Sequence, residues 1–214
     1  MAFVSDTFTD TDTTALQSHT GETGATWTAH PSLVLNSTIS GNRLAPPSSV
    51  DTSAYYASGA PSAAEYDVQA DFIRYATLSG SVDGGITGRM NISATTFYLV
   101  YYGNYGGGLF SLTKAVAGTF TELATYTQAL TQGQAYAVKL EIRTAAKKVY
   151  INGVERISST DNAVTAAGKA GVRCYGSGSW LRLDNFSAQD LAAAPVWPLP
   201  GQIVLQAVNR AATY

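Results

Sequence analysis

The chain has 214 residues, of which 13% are charged, and a formal net charge of -2. It has no cluster of Lys and Arg, which argues against a nucleic-acid partner because phosphate affinity comes largely from basic side chains. The single cysteine, Cys174, excludes an intrachain disulfide framework. No apolar run approaches the roughly 18 to 20 residues of a membrane-spanning helix. We therefore expect a soluble protein that binds neither nucleic acid nor membrane.

In chain order, period-two alternation predicts strands separated by turns rich in Gly, Asn, Asp and Ser. Leu33-Val34-Leu35 predicts a short early strand. The clearest strand is 64–75, whose alternate apolar residues define one buried face: Tyr66, Val68, Ala70 and Phe72. The segment 95–102 is apolar on both faces, so its second face must be covered by protein or by ligand. Asn152-Gly153, between two β-rich runs, predicts a hairpin. With about 12 strands and no helical period, the chain is predicted to be all-β.

Several pieces of the body, taken in order, resemble the laminin-G-like branch of the concanavalin A-like lectin/glucanase fold. The pieces are Asp6-Thr7-Phe8 followed by Trp27-Thr28, the strand 66–72, the hairpin 149–154, the stretch 168–173 and the closing Leu183-Asp184-Asn185-Phe186. The resemblance implies a jelly-roll sandwich of two antiparallel sheets whose first and last strands lie side by side. Such domains occur in secreted lectins, in sugar-acting enzymes and in phage virion proteins.

The end of the chain differs in character from the body. We predict one sandwich over 1–191 and a linker and arm over 192–214, because Pro195, Pro198 and Pro200 favour an extended segment. The apolar part of the arm is too short to fold alone. It either adds a strand to another surface, such as a neighbouring subunit, or folds back on its own body. The residues predicted to mediate assembly are Val196, Trp197, Ile203, Leu205 and Val208.

No catalytic site is predicted. Glu65 and Asp67 look similar to the closely spaced acids that glycoside hydrolases of the related fold carry on one strand, where a proton donor and a carboxylate are needed. Gln69 stands where that pattern would have a third acid, and the Trp-rich cleft is missing. We therefore interpret these acids as part of a solvated outer sheet face and expect no enzyme activity.

Metal and cofactor sites are not expected either. His19 and His30 lie in a polar N-terminal region and are interpreted as surface or loop residues without a further role. They lack Cys or His partners at zinc-ligand spacing. Three acids in a Thr-rich region fit no EF-hand spacing and are expected to cap turns instead: Asp10, Asp12 and Glu22. Cys174 is predicted to be a buried small apolar residue.

Aromatic residues near two Gly-rich turns are the best candidates for binding. They are Tyr98, Tyr101, Tyr102, Tyr105, Tyr175 and Trp180. A sugar ring stacks its C–H face on such side chains, but aromatic residues of a subunit interface have the same appearance in sequence. Contact with protein is preferred over contact with sugar, because the sequence does not supply the converging polar groups of a sugar pocket.

A sandwich of extracellular type without an export signal or paired cysteines is typical of a bacteriophage virion protein. The N-terminus, Met1 to Asp6, has no signal-peptide pattern, so we predict synthesis in the bacterial cytoplasm and assembly into the virion. The predicted role is a capsid decoration protein or a tail or fibre component. Its partners would be other virion proteins, copies of itself and host-surface glycans. The alternative is a lectin-like carbohydrate-binding module of a secreted or surface protein.

Overall fold

The computed structural model describes residues 1–34, 36–46, 52–76, 83–103, 107–175 and 180–191. Fifteen strands and one three-residue 3-10 helix, Leu16–Ser18, occur in these ranges. The strands are β1 (Ala2–Asp6), β2 (Trp27–Val34), β3 (Thr38–Ile39), β4 (Leu44–Ala45), β5 (Thr52–Ala57), β6 (Tyr66–Arg74), β7 (Asp83–Met90), β8 (Phe97–Gly103), β9 (Leu109–Val116), β10 (Thr119–Thr127), β11 (Ala135–Ile142), β12 (Lys147–Ile151), β13 (Val154–Ser159), β14 (Lys169–Tyr175) and β15 (Leu181–Asp190). The predicted all-β class is confirmed, and β5 is a strand that the sequence pattern did not predict.

The strands form two antiparallel sheets. The first has eight strands in the order β13-β12-β11-β6-β15-β4-β3, with β1 also paired to β15. The second has seven strands in the order β10-β9-β8-β7-β14-β5-β2. The pairing of β1 with β15 brings Val4 opposite Ala188, so the first and last strands of the body are neighbours, as the resemblance implied.

The core lies between the two sheets and follows the alternation of the strands. On β6, the predicted inward residues Tyr66, Val68, Ala70 and Phe72 are fully buried. They meet buried residues of the seven-stranded sheet, as shown by the contact of Phe72 with Phe110 at 6.1 Å between ring centroids. Burial of alternate apolar residues in this way is the main force that holds two sheets face to face.

Two local predictions from sequence are also confirmed. Asn152 and Gly153 have φ values of 50° and 79° and connect β12 to β13, because a tight hairpin turn of this kind needs both central residues in the left-handed region. Cys174 is buried on β14, with 2% of its surface exposed. Within the described ranges, no helix is long and apolar enough to span a membrane.

The N-terminal histidines correct the expectation of surface or loop residues, because His19 and His30 are 2% and 0% exposed. His19 Nε2 lies 2.9 Å from Asp6 Oδ1, and its Nδ1 lies 2.9 Å from Asp10 Oδ2. Trp27 Nε1 donates to the other oxygen of Asp6 at 2.6 Å. Burial lowers the pKa of His19, but the hydrogen bonds to Asp10 and Asp6 outweigh it and raise that pKa overall. A buried polar network therefore ties together two of the pieces that carried the family resemblance.

The three N-terminal acids bind backbone N–H groups, but only Asp10 bonds to a neighbour along the chain as a turn cap does, whereas Asp12 and Glu22 bond to residues 29 and 15 positions away. Asp10 accepts from the N–H of Thr11, Asp12 from that of Gly41 and Glu22 from that of Thr7. The division into body and arm stays a prediction. The arm residues Val196, Trp197, Ile203, Leu205 and Val208 lie outside the described residues.

Candidate functional site

The outer face of the seven-stranded sheet carries a row of side chains that crosses four strands. Arg173 on β14 pairs with Gly85 on β7, Gly85 with Tyr101 on β8, and Tyr101 with Ser111 on β9. Directly paired residues of antiparallel strands point to the same side of a sheet. The row therefore places a guanidinium, a phenol and a hydroxyl group on one surface.

Part of this face is covered by protein. A small apolar cluster on the outer side contains Ala54, Met90, Phe97, Leu99 and Ala115, all fully buried or nearly so, and Leu33 packs against it. Leu33 belongs to a segment of β2 that leaves the regular pairing. Ala29 pairs with Tyr55 and Val34 with Ser53, so residues 30–33 stand opposite the single residue Ala54. We call residues 30–33 the covering segment.

His30 anchors the covering segment to the turn that joins β7 to β8 in the same sheet. Its Nε2 lies 3.1 Å from the carbonyl oxygens of both Asn91 and Ala94, in the turn between β7 and β8. Nε2 must therefore carry the proton that is donated, while Nδ1 accepts from the N–H of Ser32. The second apolar face of 95–102, which the sequence required to be covered by protein or ligand, is thus covered by protein at Phe97 and Leu99.

The rest of the face forms what we call the aromatic–arginine patch: Tyr101, Phe120, Arg173 and Tyr175. The guanidinium carbon of Arg173 lies 5.0 Å from the ring centroid of Phe120 and 5.8 Å from that of Tyr175. Arg173 is 9% exposed, whereas Phe120 is 43% exposed. The cation is thus fixed between two rings by cation–π contacts, and the ring of Phe120 remains open to solvent.

Gly85 keeps the centre of the patch free of a side chain. A Cβ at this position would lie 2.1 Å from the carbonyl oxygen of Val100, so only glycine fits. Gly85 stands in the row between Arg173 and Tyr101, so this position adds no side chain between the two larger ones. Gly85 therefore contributes only backbone to the patch.

An acceptor lies next to the patch. Ser111 Oγ donates to Glu122 Oε2 at 3.1 Å, and Glu122 is an exposed residue of β10. Ser111 is fully buried, so the carboxylate of Glu122 is the group that this pair presents to solvent beside the guanidinium of Arg173. Donors, acceptors and an exposed ring on one surface are the groups that a polar ligand with an apolar face requires.

The structure separates the aromatic residues predicted from sequence into two groups. Tyr101 and Tyr175 are half-buried members of the patch. Tyr98 and Tyr102 are fully buried and Trp180 is 2% exposed, so these three belong to the core and offer no ring to a ligand. Tyr98 donates to Asp161 Oδ1 at 2.8 Å, and burial raises the pKa of Tyr98 to about 12. Tyr105 lies outside the described residues.

Two members of the patch were not singled out from sequence as binding residues. Phe120 lies in a predicted strand, and Arg173 lies in the stretch 168–173 that carried the family resemblance. Their contact joins β10 to β14, the first and fifth strands in the order of the sheet. The sequence offered one signal for Arg173. It alternates along β14 with the apolar residues Val172 and Cys174, so its side chain points to the opposite face of the sheet.

The paired acids of β6 lie on the other sheet. Asp67 Oδ1 is 2.8 Å from Arg143 Nη1, and Glu65 Oε1 accepts the N–H of Thr144 at 2.5 Å. The hydrogen bonds from Thr144 lower the pKa of Glu65. A general acid in glycoside hydrolysis needs the opposite change, because it must hold its proton near neutral pH. This geometry suits a solvated ion-pair face better than a proton donor.

No family model and no curated protein sequence matches the chain. Several solved structures have a similar fold. The carbohydrate-binding module CBM66 from Bacillus subtilis is 18% identical with a TM-score of 0.61, and the match covers 76% of this chain and 94% of that one. The CBM2 module of the evolved Dit of Lactobacillus casei BL23 phage J-1 is 7% identical with a TM-score of 0.56, covering 86% and 95%.

The Bacillus licheniformis β-glucanase is similar at 8% identity and a TM-score of 0.55, covering 88% of this chain and 98% of that one. Similarity at such low identity shows the fold alone, since one architecture supports both binding and catalysis. The chain therefore has the jelly-roll sandwich of lectins, carbohydrate-binding modules and glucanases.

Proposed function

We propose that the protein is a non-catalytic carbohydrate-binding module and that the aromatic–arginine patch is its binding surface. The observation that carries the proposal is the position of Arg173 between Phe120 and Tyr175, with Tyr101 on the same face beyond Gly85. The similarity to CBM66 and to the phage CBM2 module supports this function over a purely structural role.

A sugar suits the patch because its two kinds of surface match two kinds of side chain. The C–H face of a pyranose or furanose ring stacks on the exposed ring of Phe120, and its hydroxyl groups accept from Arg173 and donate to Glu122. Arg173 is already held by two rings, so little side-chain freedom is lost when the sugar binds.

The test is a glycan array of bacterial surface polysaccharides, followed by titration of any ligand found. Phe120→Ala removes the exposed ring and is expected to weaken binding about tenfold, whereas Phe120→Tyr keeps the ring and retains binding. Tyr150→Ala is the matched control, because Lys139 lies 4.3 Å from the ring of Tyr150 on the opposite sheet.

Absence of any glycan ligand would contradict the proposal. So would a ligand whose affinity falls in Tyr150→Ala and not in Phe120→Ala. Melting temperatures of all variants exclude a general loss of folding as the cause of weaker binding.

We further propose that the module is displayed on a bacteriophage particle, as a capsid decoration protein or a tail or fibre component made in the bacterial cytoplasm. The phage Dit module of similar fold supports this second proposal. In it, the segment 192–214 contacts other virion proteins or a second copy of the chain. Light scattering of the full chain and of a chain ending at residue 191 tests the contact between copies. An unchanged mass on truncation, with no binding to isolated virion proteins, would contradict it.

A further inference from the structure

A concave site lies apart from the aromatic–arginine patch. It is a cavity of about 340 Å³ at the end of β7, between residues 60–61 and residues 164–169. The volume is in the range of small-molecule pockets. Its walls are mostly apolar and include Pro61, Met90, Ile92, Val164, Ala166 and Ala167.

Two cations line this cavity, Arg89 and Lys169, and none of the described lining residues is Asp or Glu. Arg89 is 2% exposed. Its Nε donates to the carbonyl oxygen of Ala64 at 2.8 Å and its Nη1 to that of Val164 at 2.6 Å. Uncharged oxygens, rather than a carboxylate, therefore hold a buried guanidinium.

Lys169 also donates to uncharged oxygens. Its Nζ donates to the carbonyl oxygens of Ser58 at 2.6 Å and Gly59 at 3.3 Å. A buried positive charge is normally paired, because removal from water is costly without an opposite charge. In the part of the chain that the structure describes, neither Arg89 nor Lys169 forms an ion pair.

A third cation, Lys147, lies close to Arg89. Lys147 is fully buried, and first burial and then the charge of Arg89 lower its pKa. Two acids also act on this region, and both have other partners. Asp161 contacts Lys114 and the hydroxyl group of Tyr98, and Glu65 accepts the N–H of Thr144. The three cations outnumber these acids, so the field at the cavity favours an anion.

The backbone fixes Arg89 in place. Arg89 has a φ of 53°, in the left-handed region that is unfavourable for a side chain of this size. The hydroxyl group of the buried Tyr66 accepts the N–H of Arg89 and donates to the carbonyl oxygen of Gly168 at 2.9 Å. The backbone of Arg89 at the end of β7 is thus joined through Tyr66 to the loop that precedes β14.

We propose that this cavity binds a carboxylate carried by a compact organic body, with Arg89 and Lys169 as the charged partners of the carboxylate and the apolar walls around the body. A planar guanidinium matches the two oxygens of a carboxylate, which favours this anion over a halide. Acidic sugars and apolar carboxylic acids share the chemistry. The site is independent of the aromatic–arginine patch, so each can fail without the other.

The experiment is a titration of the labelled full chain followed by amide and arginine side-chain NMR signals. The probes are D-glucuronate, D-glucose and cyclohexanecarboxylate, which share a six-membered ring and differ in the carboxylate and the hydroxyl groups. We expect both acids to shift the signals of Arg89, Asn91 and Lys169, and glucose to leave them unchanged. Added NaCl should weaken the binding because it screens the charges. The acid that binds more tightly shows whether the walls of the cavity prefer a ring with hydroxyl groups or an apolar ring.

Two substitutions in one loop give a matched pair. Ala167→Trp fills the mouth of the cavity without removing a charge and is expected to abolish the shifts, whereas Ala163→Trp, outside the lining, retains them. Lys169→Gln should weaken binding by about tenfold or more. Equal binding of glucose and glucuronate, no binding of either acid, or full binding in Ala167→Trp would overturn the proposal. Substitution of Arg89 itself is avoided, because its hydrogen bonds also hold the loop.

Discussion

The two outer faces of the sandwich carry different kinds of side chain, which make different contacts. On the eight-stranded sheet, charged residues of β6, of β11 and just after β11 pair with one another. Arg143 lies 2.8 Å from Asp67, and Lys139 lies 3.4 Å from Glu141. On the seven-stranded sheet, outward-facing positions instead carry apolar and aromatic residues. Of these, Leu99 is fully buried and Phe120 is 43% exposed.

The difference indicates which face is suited to a ligand. Charges on the eight-stranded sheet are paired with one another and face water, so a ligand would have to break pairs to bind there. The seven-stranded sheet covers its apolar residues only in part. The covering segment, 30–33, reaches Leu99 and Phe97, whereas the ring of Phe120 remains uncovered. An uncovered aromatic ring beside a fixed cation gains contacts from a ligand and loses none.

The largest expected effect distinguishes the two faces by stability. Leu99→Ala, on the outer side of β8, should lower the free energy of unfolding by about 2 to 5 kcal/mol, because it removes a buried side chain and leaves a cavity. Gln69→Ala, on the exposed outer side of β6, should change it by no more than about 0.5 kcal/mol. Urea denaturation of both variants measures the difference. Equal losses would mean that the covering segment does not bury the outer face of β8.

Much of the fold could be predicted because its signals are local. The alternation of 64–75 gave the correct buried face, and Asn152-Gly153 gave the correct hairpin, since each depends on neighbouring residues alone. The pairing of β1 with β15 is not local, and only the resemblance to a known fold pointed to it.

The candidate site was harder to predict because it depends on register. Tyr98 and Tyr102 point to one side of β8 and Tyr101 points to the other. Alternation alone does not say which of the two sides faces the core. The partner strands decide this, by placing Tyr101 opposite Gly85 and Ser111. The burial of His30 follows from contacts with Asn91 and Ala94, far along the chain, which no local pattern indicates.

A smaller effect is expected from the anchor of the covering segment. His30→Ala removes the donor to the carbonyl oxygen of Asn91 and one of the two donors to that of Ala94, which still accepts from the N–H of Thr96. The loss should cost about 1 to 3 kcal/mol of unfolding free energy. Ser32→Ala is the matched control, since the exposed Ser32 contributes only its backbone N–H to His30. Hydrogen exchange at the amide of Leu99 should accelerate in His30→Ala and not in Ser32→Ala. Unchanged exchange in both would show that His30 does not hold the covering segment in place.

The smallest effect is expected on the charged face. A double-mutant cycle of Asp67→Asn and Arg143→Gln should give a coupling energy of about 0.2 to 1 kcal/mol, because the side chain of Arg143 remains 24% exposed although Asp67 itself is 8% exposed. The coupling should shrink as NaCl is raised, since salt screens exposed charges more than buried ones. Urea denaturation of the four proteins at low and high salt measures it. A coupling of several kcal/mol that resists salt would instead show that the pair is shielded from water as a whole, and the contrast between the two faces would no longer hold.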